Sequence, residues 1–237
     1  MKGNTQKMIA TLGLVSAFCG LVIVGAYQST FDAVQNNKRI ATERSIFKIF
    51  PKGKSIQSYA FENGKIEKNN NPAQSDFFAV YDEQAHFLGI AALGQAKGYG
   101  DNVRLMFAFN PQTNAIEGLA VIAMRETPGI GDKILTDKNF LQNFIQLDAR
   151  LNADFSALAN EIEVVKNGKK ENPWQIEAIS GATITSRAVG KAINDSAQLL
   201  LPKIVPQLAE FSKNPRSTEN NFEKNKTLTV ENLGETK

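Results

Sequence analysis

The chain has 237 residues, with 27 Lys and Arg against 24 Asp and Glu, a net charge of +3 and a single cysteine. That length accommodates a membrane segment plus one domain with a proper core, and the interspersed charges form no basic stripe of the kind that binds nucleic acid. One cysteine excludes an intrachain disulfide and a thiolate-held iron–sulfur cluster and leaves zinc unsupported, so no metal site is expected.

Residues 8–27 carry no charge and are dominated by Ile, Leu, Val, Ala, Phe and Gly. About 20 such residues cross the hydrocarbon of a bilayer as a helix, which predicts a transmembrane segment here. A cleavable signal peptide is the competing reading, with Val24-Gly25-Ala26 as its cleavage site, but the apolar run exceeds the usual signal core. Cys19 follows the bulky Phe18, where a lipidation site wants a small residue, and reads as an inert side chain in the membrane. Lys2 and Lys7 precede the span, and the next positive charges are Lys38 and Arg39. The nearer charge sets orientation, so residues 1–7 are expected in the cytoplasm and the globular domain on the periplasmic side of a bacterial inner membrane.

Residues 28–53 show an imperfect helical face of Val34, Ile40, Ala41, Ile46 and Phe47, ended by Pro51-Lys52-Gly53, and are expected to form a stalk helix. The domain is expected over residues 54–211. Residues 55–61 suit a strand, with turn chemistry at residues 62–65 and a polar loop at 68–72. Residues 77–81 and 87–93 read as one hairpin. Residues 103–109 and 116–124 read as a second, turning at Asn110-Pro111-Gln112-Thr113-Asn114. Gly94, Gly98 and Gly100 lack the spacing of a dinucleotide fingerprint. Phe140, Leu141, Phe144, Ile145 and Leu147 fit a short amphipathic helix, residues 161–165 a strand, and residues 186–201 a helix interrupted by Pro202 and Pro206. Residues 212–237 are polar and expected to be a mobile tail. Runs of strands with helices at the ends predict an α+β domain on a largely antiparallel sheet.

Two short stretches carry the chemistry. Thr127-Pro128-Gly129 has the residue types of a type II turn, with Pro presetting the first central position and Gly permitting positive φ at the second. Ser180-Gly181-Ala182-Thr183 places a hydroxyl among small residues just before a helix start, where free N–H groups and the positive end of the dipole favour phosphate. By residue type alone, the first is equally a plain tight turn. The second is equally an ordinary loop with Thr185 or Ser186 as N-cap.

Ser180-Gly181-Ala182-Thr183 resembles the flavinylation motif of the FMN-binding domain family. The stretch from Glu126 through Thr127-Pro128-Gly129-Ile130-Gly131 to Lys133 resembles that family's other signature, as it occurs in Rnf-type ion-translocating electron-transport complexes. Gly98-Tyr99-Gly100 is similar as well. The resemblance implies FMN joined to Thr183 through a phosphoester, with Ser180, Gly181, Ala182, Glu126, Thr127, Gly129, Ile130 and Gly131 around it. It places the Thr127 hydroxyl and the N–H groups of Gly129, Ile130 and Gly131 against the flavin ring. It further implies a separate flavin transferase as a maturation partner and the other members of the complex as working partners. Gly181 and Ala182 are expected to be small so that backbone approaches the flavin phosphate.

Self-modification is not supported, because the one histidine, His86, offers no activating triad for a hydroxyl. Lys133 and Arg187 are the cations nearest the motifs, and Trp174 is a candidate for stacking. Glu177 stands three residues before Ser180 where the family motif usually has Asp, and Arg125 replaces a residue that is more often uncharged. The implied function is a redox subunit passing electrons through covalent FMN, with no catalytic acid or base of its own, in a complex coupling ferredoxin and NAD chemistry to ion transport. The alternatives are a stand-alone anchored FMN protein feeding an extracytoplasmic reductase, or a cofactor-free anchored scaffold.

Overall fold

The computed structural model describes residues 2–62, 65–69 and 71–211. The expected tail at 212–237 therefore lies outside the described residues, as do Asn63 and Gly64 of the expected turn. The described residues divide into two compact units, with the boundary between Ala41 and Thr42.

The first unit is the bulk of one continuous helix, α1 (Lys2–Ile49), which takes in both the expected membrane span and the expected stalk. Met8, Leu12, Phe18 and Leu21 on its N-terminal half are all largely exposed. Among the described residues it is the one helix long and apolar enough to cross a membrane.

The second unit is built on a seven-stranded antiparallel sheet in the order β2-β1-β3-β4-β5-β6-β7. Its strands are β1 (Ser55–Glu62), β2 (Lys65–Lys68), β3 (Phe77–Tyr81), β4 (Phe87–Lys97), β5 (Asn102–Asn110), β6 (Ala115–Ala123) and β7 (Leu147–Asp148). Both faces of its centre are covered, which explains why β3 reads as an unbroken apolar run rather than an alternating one. Phe77, Ala79 and Tyr81 point into one core and Phe78 and Val80 into the other. The second core is closed by the last turns of α1 through Ile46 and Ile49, so the end of the expected stalk is part of the domain.

The first face is covered by α3 (Thr183–Ile204). Ala188, Val189, Ala192, Ile193, Ala197, Leu200, Leu201 and Ile204 recur at helical spacing and all join the first core. The Ser196 hydroxyl donates to the Leu93 carbonyl of β4 at 2.7 Å. Two further α3 side chains hold the segment that follows β7: Asn194 accepts from the Ile162 N–H at 2.9 Å and Gln198 from the Leu158 N–H at 3.0 Å. That segment contributes β8 (Glu163–Val165), paired in parallel with β9 (Gln175–Glu177).

The structure departs from the expected elements in several places. The expected 140–147 helix is only α2 (Lys138–Gln142), started by Asp137, whose carboxylate accepts from the Phe140 N–H at 2.9 Å. Phe144 follows it buried and Leu147 enters β7 instead. The polar segment expected as turn and loop contains the edge strand β2, whose charges suit an edge. Pro202 does not interrupt α3 but lies inside its last turn, where its missing N–H removes a single intrahelical donor, and Pro206 falls in the 3-10 turn that follows the helix.

After α3, α4 (Leu208–Phe211) returns the chain to the sheet. The Phe211 ring packs edge-on against Tyr59 and Phe77 with centroids 5.0 and 5.8 Å apart, and its carbonyl accepts from the Tyr81 hydroxyl at 3.0 Å. Removing such a ring leaves a cavity among rigid neighbours. Phe211→Ala is expected to lower the unfolding free energy by about 3–5 kcal/mol, read from urea denaturation of the full chain in detergent, with a loss below about 1 kcal/mol contradicting this packing.

Candidate functional site

Two tight turns face one another across a cleft. The first is Thr127-Pro128-Gly129-Ile130, closed by a 3.2 Å bond from the Ile130 N–H to the Thr127 carbonyl, with Gly129 at φ +75°. The second is Ile179-Ser180-Gly181-Ala182, closed by a 3.0 Å bond from the Ala182 N–H to the Ile179 carbonyl, with Gly181 at φ +83°. Positive φ at the third residue is the type II requirement, and it gives both glycines their reason. The space beside Gly181 is also open, since a Cβ there would meet nothing within 4 Å. Ala182 is small because it is buried at the start of α3.

The second turn is locked from below by Ser186, whose hydroxyl accepts from the Ile179 N–H at 3.1 Å and donates to the Ala182 carbonyl at 2.9 Å. The residue expected as an N-cap is thus a buried staple, and the N-cap position belongs to Ala182, which has no side chain to cap with. The first bond into α3 is from the Ser186 N–H to the Ala182 carbonyl. Among the described residues, the N–H groups of Thr183, Ile184 and Thr185 have no hydrogen-bond partner, which leaves an open donor set at the positive end of a 22-residue helix. Thr183, half-buried, is the first residue of that helix.

Glu126 joins the two turns. One oxygen of its carboxylate, Oε2, accepts from the Thr185 hydroxyl at 2.6 Å and from the Tyr99 N–H at 3.4 Å, while Oε1 accepts from the Gly100 N–H at 3.2 Å. Gly131 packs against the same group: a Cβ there would lie 2.7 Å from the Glu126 Cβ and 3.0 Å from the Thr185 hydroxyl. Three sequence stretches far apart in the chain therefore meet on one carboxylate.

The cleft has a volume of about 410 Å³ and is lined by Tyr99, Glu126, Thr127, Ile130, Gly131 and residues 181–185. Of the expected site residues, Glu126, Thr127, Ile130, Gly131, Gly181, Ala182 and Thr183 line it. Ser180 and Gly129 sit at the exposed tips of the two turns. The N–H groups of Ile130 and Gly131 both donate to the Thr127 carbonyl, at 3.2 and 3.0 Å, so the turn itself uses two of the three donors expected to face a flavin. Lys133, Arg187 and Trp174 do not line the cleft, and no Lys or Arg among the described residues does. Thr185 was legible only as an alternative cap, and Tyr99 only as part of a glycine-flanked motif.

Glu177 points elsewhere. Its carboxylate accepts from the Gly168 N–H, and its own N–H donates to the buried Asn143 side chain at 3.1 Å. Asn143 also accepts from Lys170 Nζ at 3.1 Å and donates to the Phe140 carbonyl at 3.0 Å, tying β9 to α2 just before the second turn. Partial burial pushes the Lys170 ammonium down, with the Glu177 carboxylate opposing that shift. Sequence reasoning missed Asn143, which carries no motif.

The FMN-binding domain family matches residues 98–198, a span that contains every residue lining the cleft. Over 214 residues the chain is 28% identical to the G component of the ion-translocating oxidoreductase complex of Haemophilus influenzae, covering 83% of this chain and 90% of that one. It is 33% identical over 106 residues to the G component of the Na(+)-translocating ferredoxin:NAD(+) oxidoreductase complex of Acetobacterium woodii, covering 45% of each. Two solved structures share the fold: Shewanella oneidensis NqrC, with a TM-score of 0.51, 21% identity and 77% and 99% of the two chains covered; and the C component of the Na(+)-translocating NADH-quinone reductase of Parabacteroides distasonis, with a TM-score of 0.54, 19% identity and 78% and 97% covered. The cleft fits FMN in kind: it joins a hydroxyl and three free N–H groups, suited to a phosphate, with exposed apolar side chains suited to a flat ring.

The Glu126–Thr185 bond is expected to act as a coupled pair. Glu126→Ala leaves the Thr185 hydroxyl, in a residue 2% exposed, without its acceptor and is expected to cost about 1–3 kcal/mol. A double-mutant cycle with Thr185→Val, followed by urea denaturation, is expected to show strongly non-additive losses, and additive losses would contradict the bridge.

Proposed function

We propose that this chain is a membrane-anchored electron-transfer subunit of an ion-translocating oxidoreductase complex of the Rnf type, carrying FMN as a phosphoester on Thr183. Residues 8–27 of α1 are the membrane span, the turns of α1 that follow link it to the flavin domain, whose core takes in Ile46 and Ile49, and the domain lies on the periplasmic side of a bacterial inner membrane. The other members of the complex supply ferredoxin and NAD chemistry and the ion path. The observation that carries this reading is the Thr183 hydroxyl at the uncapped end of α3, in a cleft whose opposite wall is the Thr127–Ile130 turn.

When bound, FMN supplies reversible electron storage. The chain's residues bind and orient it. A phosphate diester on Thr183 keeps a negative charge, and with no Lys or Arg among the residues lining the cleft the compensation falls to the free N–H groups of Ile184 and Thr185 and to the α3 dipole. Glu126 sets the position of that helix end through Thr185 and keeps its own charge occupied by donors. The turn carbonyl of Thr127 fixes Ile130 and Gly131, leaving the Thr127 hydroxyl and the Gly129 N–H as the donors this turn offers a ring edge.

Attachment needs a separate flavin transferase. The one carboxylate lining the cleft is already engaged by Thr185, and His86 lies in the β3–β4 connection, bonded to Asp82. Neither group is hydrogen-bonded to the Thr183 hydroxyl. Co-expression of the full chain with a flavin transferase is expected to add the mass of FMN less water and to give in-gel flavin fluorescence, both lost in Thr183→Ala. Fluorescence that persists in Thr183→Ala and maps to another residue, or a wild-type chain that stays colourless, would contradict the assignment.

A further inference from the structure

Tyr99 occupies the turn between β4 and β5, at residues 98–101, and its surroundings divide sharply between backbone and side chain. The backbone is held on every side. The Gly98 N–H donates to the Asp101 carbonyl at 2.9 Å, and the N–H groups of Tyr99 and Gly100 donate to the Glu126 carboxylate. Any Cβ at Gly98 would collide with the Glu126 carboxylate, and one at Gly100 with the Arg125 carbonyl. The glycines on either side are there because the turn presses against the 125–126 backbone, and residue 99 cannot swing away.

The side chain, in contrast, has no protein partner. It is 68% exposed and lines the cleft, and among the described residues its ring makes no aromatic or cation contact and its hydroxyl no hydrogen bond. Ile130 and Ile184, 49% and 54% exposed, line the same cleft. Three large side chains held out from three separate segments around one cavity leave apolar surface in water that a flat aromatic ring would cover.

We propose that Tyr99 is the aromatic wall of this cleft, its ring packing against the isoalloxazine of an FMN tethered at Thr183, with Ile130 and Ile184 completing the apolar contact. This inference rests on the proposed function and assigns a binding residue beyond the two motifs. Contact with an electron-rich phenol has a measurable signature. Tyr99 gives one electron to a photoexcited flavin and takes it back in the dark, so emission is quenched with no net chemistry. Covering the ring also removes water from it, which strengthens the neighbouring dipoles.

The test is time-resolved flavin fluorescence on the flavinylated full chain and on Tyr99→Leu and Tyr99→Trp, with covalent loading checked by intact mass. Tyr99 is exposed, so both variants are expected to fold and load. Tyr99→Leu is expected to lengthen the mean lifetime several-fold, whereas Tyr99→Trp, which keeps an easily oxidised ring in place, stays dark. Full flavin mass with the same lifetime in all three proteins would overturn the contact while leaving the attachment at Thr183 intact. A wild-type chain without flavin mass would overturn the proposed function and this inference together.

Discussion

The site is organised by one hydrogen bond, 2.6 Å long, between the Thr185 hydroxyl and the Glu126 carboxylate, residues 59 positions apart. A charged acceptor shared by a hydroxyl and two backbone N–H groups is worth more than a neutral pair, and here it fixes three backbones at once. Without it, nothing polar among the described residues would hold the first turn of α3 to the end of β6. The β4–β5 turn would also lose the anchor of its two N–H groups. Gly98 and Gly131 follow from the same constraint, because neither position has room for a side chain beside that carboxylate.

Rigidity below the cleft supports openness above it. Ser186 consumes the free groups of the Ile179–Ala182 turn, and Asn143 consumes those at the end of β9, so the loop bearing the small residues has no slack. The donors left over are the N–H groups at the first turn of α3, and the side chains left over are those around the cleft. An anion is thus favoured at one spot by geometry and dipole rather than by a cation. That arrangement suits an attached group whose phosphate is already bonded to the chain, since a tether replaces the affinity that paired charges would otherwise supply.

Much of this was legible in residue patterns. Alternation and turn chemistry located β1, β3, β4, β5 and β6 because each has enough apolar residues to show a period or a solid run. The strands β2, β7 and β9 are two to four residues long, too short for any period, and are created by their partners. The first turn was readable as Thr-Pro-Gly because positive φ selects glycine locally, whereas Gly181 read only as one of several small residues before a helix. The Glu126–Thr185 bridge, the Asn143 staple and the exposed placement of Tyr99 were not, since each depends on which distant segments the sheet brings together. Helix α3 starts three residues earlier than its apolar spacing suggested, and that shift matters most: it makes Thr183 the first helical residue.

The most direct measurement is a comparison of backbone amide NMR shifts between the flavinylated full chain and the unmodified chain in the same detergent. The expected result is that the largest changes fall on Thr183, Ile184 and Thr185 at the head of α3 and on Gly129, with smaller ones at Tyr99 and Gly100. Changes concentrated instead in the groove between Phe50, Phe87 and Gln112, with the head of α3 undisturbed, would contradict the site described here.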